Sequence, residues 1–343
     1  MLNKSFVKTR RQEKAAYIRM GDEANRKILF IHGNVSASGF YIPVMKRLKD
    51  KYDVIALDLN GYGQTSPTPI KAATAYQDWS EDIDAFADAL GLDKFTICGW
   101  SLGGGVVMKY AINHSDRLEK IMFINPSSPY GFGGTYGEDG KKYDSRGLGS
   151  AGGFVNQDFL KALAAKDLGD GPSSPRTILN NHYFKPGFHV SRDIEDMFVG
   201  EMLETKLGED YYGGDFIPYD KFPYVLPGTK GTNNALAPQY ADVSAIADIP
   251  NRPDILWFRG DSDNLVSDNS LYDLPMLGKL GVLPGYPGED VMPPQPMVSQ
   301  TRHVFEKYKS NGGRYEEFVL ENSGHGCHIE REDDFVRIVR EKV

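Results

Sequence analysis

An α/β architecture, a mostly parallel central sheet with helices on both faces and one large insertion, follows from three features of the 343-residue sequence. Up to residue 125, apolar runs of strand length alternate with longer segments of helical character, the rhythm of strands joined by helical crossovers. Several of these runs, such as KILFI at 27–31, are apolar along their length, which marks strands buried on both faces rather than one. After Asn125 the rhythm stops, and it resumes only at Asp254.

Taken in order, strands are expected at 16–19, 27–31 and 54–56, with helices near 41–48 and at 76–90. A strand at 94–98 (KFTIC) runs into a helix at 102–112 (LGGGVVMKYAI) whose glycines allow close packing, and a strand at 121–124 closes the first half. The stretch between Asn125 and Asp254 breaks the sheet rhythm with glycines and tyrosines. Helices are expected within it at 157–165, 175–181 and 192–207, with Ser174 and Ser191 placed to cap two of them. Strands at 254–259 (DILWFR) and 315–320 (YEEFVL) complete the sheet. A second insertion, 274–296, is dense in Pro and Gly and follows the loop after 254–259; an edge of a pocket, a contact with another subunit and a plain surface loop are all open readings of it. The chain is thus divided into a core of 1–126 and 249–343 and an inserted domain of 127–248. Because that insertion leaves the sheet after one strand and returns before another, it is expected to cover the strand ends as a lid. Tyr211, Tyr212 and the segment 222–224 are candidate pocket walls, although most aromatics there serve the insertion's own core.

Four short segments carry chemistry. Gly99-Trp100-Ser101-Leu102-Gly103 stands where a strand gives way to a helix, and its glycines let the backbone turn sharply enough to expose the Ser101 hydroxyl. Trp100 is expected beneath this turn and at the pocket. The strand 27–31 empties into His32-Gly33-Asn34-Val35, where the N–H of Asn34 and that of Leu102 form a candidate pair of donors for an oxyanion, with Val35 beside the substrate. His32 itself is read as structural. Downstream, 260–266 (GDSDNLV) and 322–326 (NSGHG) both follow strands, where ligands bind in open α/β sheets. A serine hydroxyl needs a base, which His325 supplies, and a carboxylate on the other ring nitrogen holds the tautomer.

These motifs, together with Asp58-Leu59-Asn60-Gly61-Tyr62-Gly63-Gln64-Thr65, resemble the α/β-hydrolase superfamily, in particular its lidded Ser-dependent branch, over residues 28–126 and 250–343. The resemblance implies a triad of Ser101, Asp263 and His325. Its acid loop, G-x-x-D-x-x-V, favours Asp263 over Asp261, with Asp268 as the other alternative. Ser101 departs from the branches that use a nucleophilic Asp. Asn125, at the end of the strand that carries the acid in some lipases, is no carboxylate. Gly326 stands where many C–C bond hydrolases of this family have tryptophan.

Composition narrows the partners. A net charge of −8 argues against nucleic acid and anionic membranes, and favours a small neutral substrate. The two cysteines, Cys98 and Cys327, make no disulfide framework. The basic N-terminus lacks the apolar core of a secretory signal, so a cytoplasmic location is expected. His182, His189 and His328 show no metal-ligand pattern, and no cofactor is implied. The expected activity is hydrolysis of a carboxylic ester or lactone. The alternatives are C–C bond hydrolysis with the same triad, and a ligand-binding receptor on this fold. Oligomeric state is not legible.

Overall fold

The computed structural model describes residues 2–343. An eight-stranded sheet organises the chain, built from β1 (Ser5–Val7), β2 (Ala15–Met20), β3 (Arg26–Ile31), β4 (Tyr52–Leu57), β5 (Phe95–Trp100), β6 (Leu118–Ile124), β7 (Asp254–Gly260) and β8 (Tyr315–Leu320). Their spatial order is β1-β2-β4-β3-β5-β6-β7-β8. The pairs from β4 through β8 are parallel, and β2 is antiparallel to both β1 and β4. Ile31 lies beside Gly99, Trp100 beside Ile124, Ile124 beside Phe258, and Gly260 beside Leu320. This register brings the carboxyl ends of β3, β5, β6, β7 and β8 to one rim, so the loops that follow them emerge together.

The helices are α1 (Ile42–Leu48), α2 (Ala75–Ala89), α3 (Leu102–His114), α4 (Gln157–Ala164), α5 (Pro175–Ile178), α6 (Arg192–Met202), α7 (Thr232–Ala235), α8 (Leu274–Lys279), α9 (Met297–Ser310), α10 (Cys327–Glu330) and α11 (Glu332–Lys342). Strand residues alternate between two apolar cores. Leu29 and Ile31 of β3 face the core that holds Trp79, Ile83 and Phe86 of α2, Val106 and Tyr110 of α3, and Phe305 of α9. Ile28 and Phe30 face the other, with Val44 and Leu48 of α1 and Phe335 and Val339 of α11. Burying such a side chain stabilises by roughly 1.5–3 kcal/mol, which is why fully apolar runs specify a sheet covered on both sides. Cys98 and Cys327 are free and buried in the second core.

The segment between β6 and β7 holds α4 to α7 and differs from expectation in detail. Ser174 caps α5 by accepting from the Thr177 N–H, whereas the Ser191 side chain makes no capping bond to α6. The helix expected over 175–181 stops at Ile178 and widens into a π-helical turn, Leu179–Tyr183. The helix expected to reach 207 ends at Met202, because the chain beyond it is taken up elsewhere: the Lys206 N–H donates to Gly61 and Leu207–Gly208 pairs with Tyr212–Gly213. Phe198 and Met202 of α6 enter the core of Ile28 and Phe30, and the return segment Ser244–Asp248 carries Ile246 and Ala247 into the core of Leu29 and Ile31.

Two contacts were invisible in the sequence pattern. β1 extends the sheet, and just before it the Lys4 ammonium is enclosed between Asp58 (2.9 Å) after β4 and Glu201 (2.6 Å) of α6. The second insertion is a closed loop rather than an open excursion: Asp273 Oδ2 accepts from the N–H groups of Met276 and Gln295, at its two ends. Gln295 then reaches the chain after β6, accepting from the Gly133 N–H (2.6 Å) and donating to the Gly131 carbonyl (3.1 Å). Among the described residues, no helix is long and apolar enough to cross a membrane.

Candidate active site

Ser101 joins β5 to α3 with φ 58° and ψ −122°, a conformation that costs a non-glycine residue about 1–3 kcal/mol and persists only where neighbours enforce it. Here the enforcement is close packing. A Cβ on Gly99 would lie 2.4 Å from the Gly103 carbonyl oxygen, and one on Gly103 would lie 2.4 Å from the carbonyl oxygens of Ile31 and His32. Only glycine lets α3 begin so near β3 and β5, and the half-buried Ser101 is left at the apex. Leu102 is the first residue of α3, so its N–H has no intrahelical acceptor.

Asp263 and His325 meet at the rim. His325 Nδ1 is 2.8 Å from Asp263 Oδ2, with both side chains buried. The other carboxylate oxygen accepts from the N–H groups of Leu265 (2.7 Å) and Val266 (3.1 Å), so its own loop fixes its orientation toward the histidine. The alternative acids are engaged elsewhere: Asp261 bonds Ser262 and the Ser323 N–H, and Asp268 bonds the first turn of α9 at Val298 and Ser299. Among the described residues, no hydrogen bond joins His325 to the Ser101 hydroxyl; the link between them runs through Trp100. The Trp100 indole N–H donates to the His325 carbonyl (2.8 Å), and the two rings lie 5.4 Å apart.

The loop after β3 is held at several points. His32 is buried, its Nδ1–H donating to the Gly33 carbonyl (2.8 Å) and its Nε2 accepting from the Leu59 N–H (3.0 Å); burial pushes its pKa down to about 4, so it stays neutral. This confirms a structural part for His32, coupling the ends of β3 and β4. The Asn34 side chain donates to Asn233 of α7 (2.8 Å) and accepts from Tyr62 (2.7 Å) and the Val35 N–H (3.0 Å). Val35 is buried with φ 45°, an uncommon conformation for a β-branched residue.

The remaining expected pocket residues lie differently from one another. Trp100 is 1% exposed, walled in by Phe40, Tyr183, His325 and His328, and braces the histidine loop from beneath. That enclosure matches its expected place beneath the Ser101 turn. Tyr211 is half-buried beside Gly61, and Tyr212 is buried edge-on to Phe159 within the insertion. His328 lies on the short α10, where a loop was expected, with both ring nitrogens buried and unpartnered; burial pushes its pKa to about 3. Among the described residues, Glu81, Asp84 and His114 have the spacing of metal ligands, at the far end of α3 from Ser101, but Arg10 and Arg117 already neutralise Asp84 at 2.6 Å each.

Three residues complete the site: Asn125, noted in the sequence only as no carboxylate, and Tyr183 and Glu330, which no motif singled out. Asn125 donates to the carbonyls of Gly324 (3.1 Å) and His325 (2.8 Å) and accepts from the Gly260 N–H (3.1 Å), tying the acid strand to the histidine loop. Glu330 accepts from the Gly324 N–H and from the Lys185 N–H of the insertion, both at 2.7 Å. Tyr183 bonds the loop after β3. Each contact spans well over 100 residues or joins backbone to side chain, and no local motif announces it.

A family model described as alpha/beta hydrolase fold matches residues 27–284. The dihydrolipoyllysine-residue acetyltransferase component of the acetoin cleaving system of Cupriavidus necator is 30% identical over 204 residues, covering 58% of this chain and 47% of that protein. The chain therefore spans about half the length of this curated relative. Among solved structures, esterase RhEst1 from Rhodococcus sp. ECU1013 superposes with a TM-score of 0.62 at 17% identity, over 99% of this chain and 98% of that one. The enol-lactonase from Burkholderia xenovorans LB400 does so with a TM-score of 0.56 at 17% identity, over 98% of each. At such identities the likeness is one of fold.

Proposed function

The chain belongs to the α/β hydrolase fold family, and on that premise we propose that it is a serine hydrolase that cleaves a carboxylic ester or lactone through an acyl-enzyme. The reading is carried by the buried 2.8 Å bond between Asp263 and His325, made across 62 residues at the rim where the Ser101 turn emerges. His325 Nε2 takes the Ser101 proton as Oγ attacks the substrate carbonyl. The N–H groups of Asn34 and Leu102 hold the oxyanion. The imidazolium, stabilised by Asp263, returns the proton to the departing alkoxide. A water then gives its proton to His325 and attacks the acyl-enzyme, and the collapse releases the acid and restores Ser101. In a lactone the alkoxide and acyl parts stay joined, so one hydroxy acid leaves. The insertion 127–248 acts as a lid, with Val35, Tyr211 and Tyr212 near the substrate.

The test combines a fluorophosphonate probe with a panel of esters and lactones. Wild-type protein should be labelled at Ser101, and Ser101→Ala should lower hydrolysis of a small activated ester by at least about 10³-fold with the fold retained. Activity that survives in Ser101→Ala would reject the assignment.

A further inference from the structure

We propose that Tyr183, in the insertion, is a positioning residue that holds the oxyanion loop and the histidine loop in register, an inference that rests on the serine-hydrolase reading above. Its hydroxyl donates to the Asn34 carbonyl (2.8 Å), with the Val35 carbonyl at 3.2 Å sharing the proton. Its own carbonyl accepts from the Gly326 N–H at 2.6 Å, one residue beyond His325. Its ring stands edge-on to Trp100 at 5.7 Å and to His325 at 6.3 Å. One buried side chain and its peptide thus touch both halves of the machinery, which otherwise belong to strands separated in the sheet by β5, β6 and β7.

The consequence is sharpest at Asn34. Its carbonyl is held by Tyr183, its Oδ1 by Tyr62 and the Val35 N–H, and its Nδ2 by Asn233. What remains unpartnered among the described residues is its N–H, the proposed oxyanion donor. Next to it, Val35 is kept at φ 45°, a strained conformation that relaxes unless several contacts oppose it. Tyr183 and Asn233 both come from the insertion, so the donor geometry depends on the insertion being seated. On the other side, a Cβ at Gly326 would lie 2.9 Å from the Phe184 ring and one at Gly324 would lie 2.7 Å from the Lys185 nitrogen. Glycine at those positions lets the bend after Tyr183, at Phe184 and Lys185, lie directly on the histidine loop.

Tyr183→Phe removes the hydroxyl and keeps the ring and the backbone bond. With active sites counted by fluorophosphonate titration, its kcat per labelled site should fall about 10-fold or more while KM stays within about 3-fold, because the lost contact matters where negative charge develops. The rate of labelling at Ser101 should fall in parallel. Asn233→Ala, which loosens the same loop from its side-chain end, should act in the same direction and serves alone if Tyr183→Phe fails to fold. Unchanged kcat per site, or a raised KM with kcat unchanged, would overturn the clamp while leaving the hydrolase reading intact. Wild-type protein that is not labelled at Ser101 would instead overturn that reading.

Discussion

Strain at Ser101 separates function from stability at a single residue. Its φ of 58° and ψ of −122° suit glycine and oppose any Cβ. Ser101→Gly should therefore raise the unfolding free energy by about 1 kcal/mol, read by urea denaturation, while abolishing hydrolysis. A stability unchanged or lowered would show that the hydroxyl is held by contacts worth more than the strain. Asp273 makes the opposite kind of bargain. It is fully buried, both of its backbone bonds fall on Oδ2, and Oδ1 has no partner. Burial pushes its pKa up to about 7. A carboxyl raised above its unfolded value of about 3.9 stabilises fully below that value and loses the contribution as pH rises through 7. Asn mimics the protonated form, since its carbonyl can take both bonds. Asp273→Asn should match wild type at pH 4 and exceed it at pH 8, by up to about 4 kcal/mol, in thermal or denaturant unfolding at the two pH values. At this scale the sharp turn at Ser101 and the pairing of Asp263 with His325 were legible because each sits in a short motif whose backbone demands are local. The bonds that Asn125, Tyr183 and Glu330 make were not, since they run to backbone groups that are mostly distant in the chain and ordinary in composition.

Elements were legible where burial is uniform and ambiguous where tertiary contacts interrupt a pattern. The apolar runs of β3, β5 and β7 could be nothing but covered strands, and α3 was signalled by its glycines as a helix in close approach. By contrast, α6 reads as continuing to 207 because nothing between Leu203 and Leu207 breaks a helix; the Gly61 carbonyl and the bridge to Tyr212 end it from outside. β1 escaped notice because three residues, largely exposed, carry no period. Two glycine substitutions separate these regimes. Gly103→Ala would drive a methyl into the Ile31 and His32 carbonyls, which belong to backbone and cannot swing aside, so α3 must move off β3. Destabilisation of at least about 2 kcal/mol with loss of activity is expected. Gly200→Ala lies in the last turn of α6 with nothing within 4 Å of the new methyl, and should stabilise by roughly 0.5 kcal/mol through helix propensity alone. If both variants unfold alike in a chemical melt, helix packing at the Ser101 turn is not what makes Gly103 necessary.

The molecule as a whole is tied together by charge as well as by its two apolar cores. Among the described residues, Lys4 is the sole cation paired with Asp58, which follows β4, and with Glu201, which belongs to α6, and the three side chains are at most 3% exposed. The carboxylates are otherwise satisfied by backbone: Asp58 by the N–H groups of Ser38 and Gln64, Glu201 by that of Gly39. The chain before β1, the loop following Asn34 and Val35, and the insertion thus share one buried network, a link that sequence reasoning had no means to see because its members lie 54 and 197 residues apart. Two buried carboxylates facing one ammonium leave an excess negative charge, and burial already raises the pKa of Glu201. In Lys4→Met the two anions face each other without a counter-ion. The loss should be about 3–5 kcal/mol at pH 7.5, the cost of stranding a buried charge. It should shrink toward pH 5, because losing the ammonium raises the Glu201 carboxyl pKa further and the folded variant gains stability as Glu201 takes up a proton. Glu201→Gln placed on top of Lys4→Met should recover part of the loss at pH 7.5, since the amide oxygen still accepts from Gly39 and only one anion remains. Denaturant titrations of the three proteins at both pH values decide the matter. A Lys4→Met penalty that is independent of pH and untouched by Glu201→Gln would mean that Lys4 holds the insertion through its hydrocarbon stem rather than its charge.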